Sequence, residues 1–247
     1  MRRLAIALTL STALLAGSAT ARAAVWDAAA DFSVAANPNR AWSYGFGNAD
    51  GTGFTALTDT FTGFSGRDVS GWFSLARPFN VPAVFAEAGP TSDDYVPAGH
   101  LALHPGDSGA LSAILRFTAP VAGIYAVGGG FLRGDPQSWT GTGVSVYNNA
   151  SAVLARAVLA ASGPGSSVAF GAPALALSAG DVLSFVVDHD GSLLFDTTGL
   201  RAVVSTVDSP PPPPPVGVPE PASLGLFGAG LAGLVAARQR RRARPAA

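Results

Sequence analysis

The chain has no cysteine, no lysine, one methionine and three histidines among its 247 residues. Without cysteine it has no disulfide, no thiol nucleophile and no thiolate metal site. Iron–sulfur and c-type haem readings fall with it. A domain without disulfides must be held by its hydrophobic core alone, and the length of this chain permits that. Charge is scarce as well, at 13% of residues. Long uncharged apolar runs are missing from residues 24–208 and occur only at the two ends.

The front end has three parts. Arg2 and Arg3 form a positive start, Leu4 to Gly17 is apolar, and Ala21-Arg22-Ala23 is a small-x-small cleavage site, with Ala19-Thr20-Ala21 as an alternative. This pattern predicts a secretory signal peptide over residues 1–23, which takes no part in the fold. At the other end, six prolines, Pro210 to Pro215, predict a stiff polyproline II spacer within a linker of residues 209–217.

Removing both ends changes the charge. Residues 24–208 hold seven arginines against fifteen carboxylates, a net charge of −8. The expected mature domain is therefore acidic, which argues against nucleic-acid binding.

Within 24–208, short alternating runs are broken by Gly, Pro, Asn and Asp. In Leu111 to Phe117, the residues Leu111, Ala113, Leu115 and Phe117 share one face and Arg116 lies on the other. Further strands are expected at Ala41–Phe46, Phe54–Leu57, Trp72–Leu75, Val81–Phe85, His100–His104, Ile124–Val127, Gly143–Tyr147, Val153–Leu159, Val182–Asp188 and Leu200–Val207. Strands at this spacing predict an all-β fold, a sandwich or barrel. The alanine-rich run Ala150–Ala161 suits a helix by composition, but its flanking turn residues favour a strand.

Gly106-Asp107-Ser108-Gly109 looks like the nucleophile loop of trypsin-like proteases, but that chemistry needs a histidine well upstream. His100 and His104 are the nearest, on what should be one strand, so the motif reads as a turn. Those two histidines would lie about 13 Å apart along a strand, too far to share a metal. Glu87 is the only glutamate in the domain, and the Asp93-Asp94 pair sits in a loop, so no paired carboxylates stand out for glycoside hydrolysis. Asp188-His189-Asp190-Gly191 and Asn48-Ala49-Asp50-Gly51 alternate oxygen ligands before a glycine. They make Asp188, Asp190 and Asp50 candidate calcium ligands, although Asp-Gly turns are ordinary in hairpins. Among the aromatics, Trp42 and Trp72 read as core, and Tyr44 is a weaker candidate for sugar contact. Trp139 and Tyr95 are the candidate carbohydrate contacts, Trp139 within the polar run Gln137–Gly141.

The last thirty residues carry the strongest signal. Val218, Pro219, Glu220 and Pro221 precede sixteen uncharged residues, Ala222 to Ala237, followed by Arg238, Arg240, Arg241, Arg242 and Arg244. As a helix the uncharged stretch would span roughly 24 Å, against a bilayer core of about 30 Å. It reads as a marginal transmembrane helix with its basic tail held in the cytoplasm. In this order the parts closely resemble the PEP-CTERM sorting signal, over Val218 to Arg244. The resemblance implies cleavage near Pro-Glu-Pro by an exosortase-like enzyme. It also implies transient inner-membrane anchoring, and delivery to the cell surface or the extracellular polysaccharide matrix.

A second resemblance concerns the domain. Asn37 to Gly45, Leu103-His104-Pro105-Gly106, Phe117 to Pro120 with Gly123-Ile124-Tyr125, and Gly180-Asp181 with Asp196-Thr197-Thr198 are similar to a recurrent β-sandwich of exported proteins. Its general character is that of jelly-roll carbohydrate-binding modules. It implies an antiparallel jelly-roll-like sandwich and a non-enzymatic role in adhesion or carbohydrate binding. The alternatives are a structural matrix protein with no small ligand, or a polysaccharide hydrolase.

Overall fold

The computed structural model describes residues 23–64, 67–87, 98–134, 141–159, 166–207 and 223–242. The chain divides into two compact units, Met1–Asp208 and Ser209–Ala247. Residues 1–22 of the expected signal peptide (1–23), the proline-rich linker, Pro219-Glu220-Pro221 and Arg244 lie outside the described residues.

The first unit contains fourteen strands: β1 Val25–Asp27, β2 Trp42–Gly47, β3 Thr55–Ala56, β4 Asp59–Phe64, β5 Arg67–Phe73, β6 Ala83–Glu87, β7 Leu101–His104, β8 Ser112–Thr118, β9 Gly123–Arg133, β10 Thr142–Asn148, β11 Ser151–Leu159, β12 Ser167–Leu177, β13 Val182–His189 and β14 Thr198–Thr206. Every pairing is antiparallel. The first sheet runs β12-β9-β14-β7-β6-β5-β4, with β1 beside β14, and the second runs β11-β10-β13-β8-β2-β3. Neither closes on itself, so the expected antiparallel sandwich is what forms.

The core lies between the sheets. Trp42 and Tyr44 of β2, Leu115 and Phe117 of β8, and Phe185 of β13 face Tyr125 and Phe131 of β9 and Leu200 of β14, all fully enclosed. Alternation places them there, because every second side chain of a strand points to the same face. Trp42, Phe117, Tyr125 and Trp26 meet edge-on or tilted at centroid distances of 5.3–6.0 Å. Each such buried side chain contributes about 1.5–3 kcal/mol by leaving water. Trp42, Tyr44 and Trp72 thus belong to the core, not to a sugar surface.

Three strands and parts of two more, β5 before Trp72 and β9 after Val127, exceed what the sequence predicts. β12 contains Gly171 and Pro173, which read as turn signals; its ladder slips between Ala172 and Leu175, so the missing proline donor falls in a bulge. β4 carries Gly63 at a similar slip, and β1 is only three residues long. β9 runs on through Gly128-Gly129-Gly130 where the sequence suggests a stop. A Cβ at Gly129 would meet the Arg201 carbonyl and come within 2.8 Å of the Phe170 ring, so glycine here is a packing requirement. The ambiguous alanine-rich run is a strand, β11.

Connections sort by end. β7 and β8, β9 and β10, β11 and β12, and β13 and β14 are consecutive strands in different sheets, and each pair is joined from strand ends at one and the same end of the sandwich. The turn between β5 and β6 joins that end, since Phe73, Ala83 and His104 lie in register. The outer face of the second sheet is covered by the chain's own loop Asn48–Phe54. Gly51 lies over Tyr147 and Ser184, and the Phe54 ring lies over Gly45.

The second unit has one helix, α1, Ser223–Arg242. Among the described residues no helix is long and apolar enough to cross a membrane. Only fifteen uncharged residues of α1 precede Arg238, and its last turn holds Arg240, Arg241 and Arg242.

Candidate functional site

The crossing end of the sandwich concentrates the polar chemistry. β13 emerges there with Asp188 buried, and Arg156 of β11 reaches over to it. The guanidinium donates from Nε and Nη2 to Asp188 at 2.7–3.1 Å and from Nη2 to Asp190 at 3.1 Å. Glycine at 143 makes room: a Cβ there would lie 2.3–2.5 Å from the Asp188 carboxylate and Arg156 Nη2. The hydrogen bond to Asp188 is the main reason the Arg156 guanidinium is held above its ordinary value, despite the opposing effect of burial. Next to this cluster, Thr142 donates from its hydroxyl to the buried Asp196 carboxylate at 3.2 Å. The Gly134 amide donates to the Thr197 carbonyl at 2.9 Å. Both feet of the segment carrying Trp139 are thereby tied to the β13–β14 connection.

The structure shows where the candidate calcium ligands stand. Asp188 and Asp190 converge, as the motif suggests, but their counterion is Arg156. Asp50 accepts instead from the Thr52 amide at 3.0 Å and the Thr52 hydroxyl at 2.6 Å, bonds that hold its carboxyl below its usual value. Among the described residues no group of three or more histidine, aspartate or glutamate side chains is placed to hold a metal. Sequence reasoning missed Arg156; its alanine-rich strand gives no sign of a partner thirty-two residues on.

The remaining candidates separate. Gly106-Asp107-Ser108-Gly109 is a turn: the Gly106 amide donates to the Leu111 carbonyl, Leu111 donates back to Ser108, and Ala49 donates to Gly109. His104 Nδ1 lies 2.8 Å from the Pro105 carbonyl, and His100 Nδ1 lies 3.1 Å from that of Ala98. Trp139 and Tyr95 lie outside the described residues, but the strands that flank them are informative. β9 ends and β10 begins at the crossing end, whereas β6 leaves and β7 returns in the opposite direction. The strands that flank the two connections therefore meet them at opposite ends of the sandwich. Arg116, on the outer face of the second sheet, donates to the Gly51 carbonyl at 3.0 Å and sits 4.1 Å from the Phe54 ring centroid. It fastens the covering loop.

In the second unit, Arg238 and Arg240 are exposed on α1, with Arg241 and Arg242 at its end. Cations near a helix C-terminus complement its dipole.

Comparison with known proteins gives one sequence match and a set of distant folds. No curated sequence matches the chain. Among solved structures, the CBM51 from Clostridium perfringens GH95 in complex with methyl-galactose shares 10% identity, covering 62% of this chain and 95% of that one, with a TM-score of 0.32. A family 35 carbohydrate-binding module from Clostridium thermocellum shares 8% over 60% of this chain and 98% of its own, with a TM-score of 0.27. The Podospora anserina GH26-CBM35 β-(1,4)-mannanase shares 14% identity over 77% of this chain, at a TM-score of 0.31; the chain spans 29% of that enzyme's length. These likenesses concern β-sandwich architecture alone. Residues 217–242 match the PEP-CTERM protein-sorting motif, and the chain therefore carries that motif behind an all-β sandwich.

Proposed function

We propose that this is an exported protein, sorted through its C-terminal motif by an exosortase-like enzyme. Its sandwich then works at the cell surface or in the extracellular matrix as a non-enzymatic polysaccharide-binding module. The observation that carries the reading is the match at residues 217–242, in which Pro219-Glu220-Pro221, an apolar helix and an arginine cluster follow in order. The net charge of −8 over residues 24–208 favours neutral polymers over polyanions. Replacing Pro219, Glu220 and Pro221 with alanine tests the sorting. The expected result is an unprocessed, cell-retained form; unchanged size and location of the exported protein would sink it. Binding is tested by mobility of the exported protein in gels containing neutral polysaccharides, with retardation expected.

The edge strand β12 favours a second reading. It has eleven residues, no charged side chain, and among the described residues pairs on one side only. Such an edge invites strand addition, which suits a structural matrix protein built by edge-to-edge association. Sedimentation of the protein carrying Ala169→Lys decides: loss of self-association supports this reading, and a wild-type monomer at all concentrations removes it.

A further inference from the structure

The turn between β5 and β6 contains a feature that folding does not require. Phe79 is 76% exposed and Leu75 is 64% exposed. Phe79 and Asn80 have φ of 59° and 57°, two consecutive left-handed residues, neither a glycine. A bulky side chain in this region is a true outlier, costing on the order of 1–3 kcal/mol. Exposure of the ring also forgoes the burial energy available to phenylalanine. The turn is nonetheless well tied. Ser74 donates to the Pro82 carbonyl at 3.2 Å, Arg77 to Ser74 and Asn80 to Arg77 at 3.3 Å, and the Leu75 amide donates to Asp59 Oδ2 at 3.1 Å. The ring is thus held outward on a closed, braced support.

The surroundings indicate what it meets. The turn stands at the crossing end, in register with His104, at the same end as the connection that precedes β14, with β7 between β6 and β14. That connection contains another left-handed phenylalanine, Phe195, with φ of 64°, and the exposed Leu194. Strain on bulky aromatic residues therefore recurs at one end of the molecule. Beside Phe79, the exposed Arg77 and Asn80 offer donors and an acceptor. An exposed aromatic ring with a guanidinium and an amide in the same turn suits a ligand that is apolar on its face and hydroxylated on its rim. A hydrocarbon surface would leave the polar pair without use.

From this geometry we propose that Phe79 is a binding platform for a pyranose ring of a neutral polysaccharide, with Arg77 and Asn80 contacting its hydroxyls. This rests on the polysaccharide-binding reading above and assigns that reading a site. The test is affinity electrophoresis of the exported protein in gels containing galactomannan, xyloglucan or mixed-linkage β-glucan, with thermal melts alongside. Phe79→Ala and Phe79→Leu should each weaken binding tenfold or more, while Phe79→Trp stays within threefold of wild type. Phe79→Gly should bind as weakly as Phe79→Ala yet melt no lower than wild type, because glycine accepts the left-handed backbone. Retained binding in Phe79→Leu would reduce the contact to a plain apolar one and overturn the proposal. Retained binding in Phe79→Ala, with loss in Trp139→Ala, would overturn it and leave the binding reading standing. A wild-type protein that binds none of these polymers would overturn both.

Discussion

Inside the sandwich, Trp42, Tyr44, Phe117 and Phe185 are wholly enclosed, whereas along α1 Leu231, Leu234 and Val235 stand in the open. The two regions are comparably apolar in sequence but use it differently. In the sandwich, alternation along each strand divides the side chains between a core and a surface, so position decides burial. In α1, apolar residues follow one another without a polar face until Arg238. No described side chain from Ala229 to Arg240 is enclosed. The sandwich encodes a shape, and the helix encodes an order of segments to be read by another protein.

That contrast can be broken by mutation. The largest expected effect is in the core: Phe185→Ala or Trp42→Ala should cost about 3–5 kcal/mol and unfold much of the domain at ordinary temperature, as followed by denaturant titration. Next comes alkaline pH. Burial pushes the Tyr44 hydroxyl up to about 12. A raised folded value means that the folded state binds the extra proton, so this contribution is complete below pH 10 and is lost as pH rises through 12. The loss should be about 1.4 kcal/mol per pH unit in that window. Tyr44→Phe should abolish this dependence in urea melts taken across it.

A smaller effect belongs to the crossing end. Arg156→Ala leaves the buried Asp188 without its counterion, but Arg156 is 38% exposed, so water replaces part of the interaction. A loss of about 1–2 kcal/mol in denaturant titration is expected, with Arg156→Lys intermediate. The smallest effect should come from the tail. Leu234→Ala in the full-length chain should leave the melting temperature of the sandwich unchanged by calorimetry. If that melt shifts by several degrees, the two units are coupled and the contrast fails.

The same contrast explains what the sequence made legible. Leu111 to Phe117 alternates cleanly, and β8 lies where that alternation puts it. Pro-Glu-Pro, the apolar run and the arginines are contiguous, so the sorting motif needs no tertiary information. Other features depend on partners far along the chain. The glycines of β9 look like a break until Arg201 and Phe170 occupy the space beside them. The acidic motif at Asp188 and Asp190 looks like half a calcium site until Arg156 arrives from another strand. Phe79 is the hardest case. Nothing in Leu75 to Asn80 signals a left-handed phenylalanine, and a phenylalanine between two strands reads as core.

The loop Asn48–Phe54 decides how part of the second sheet can be approached. Where Gly51 sits over Tyr147 and Ser184, pinned by Arg116, the chain occupies its own outer face. A partner laid flat on that patch would meet loop instead of strand, and would have to displace the Arg116 contact to reach the sheet.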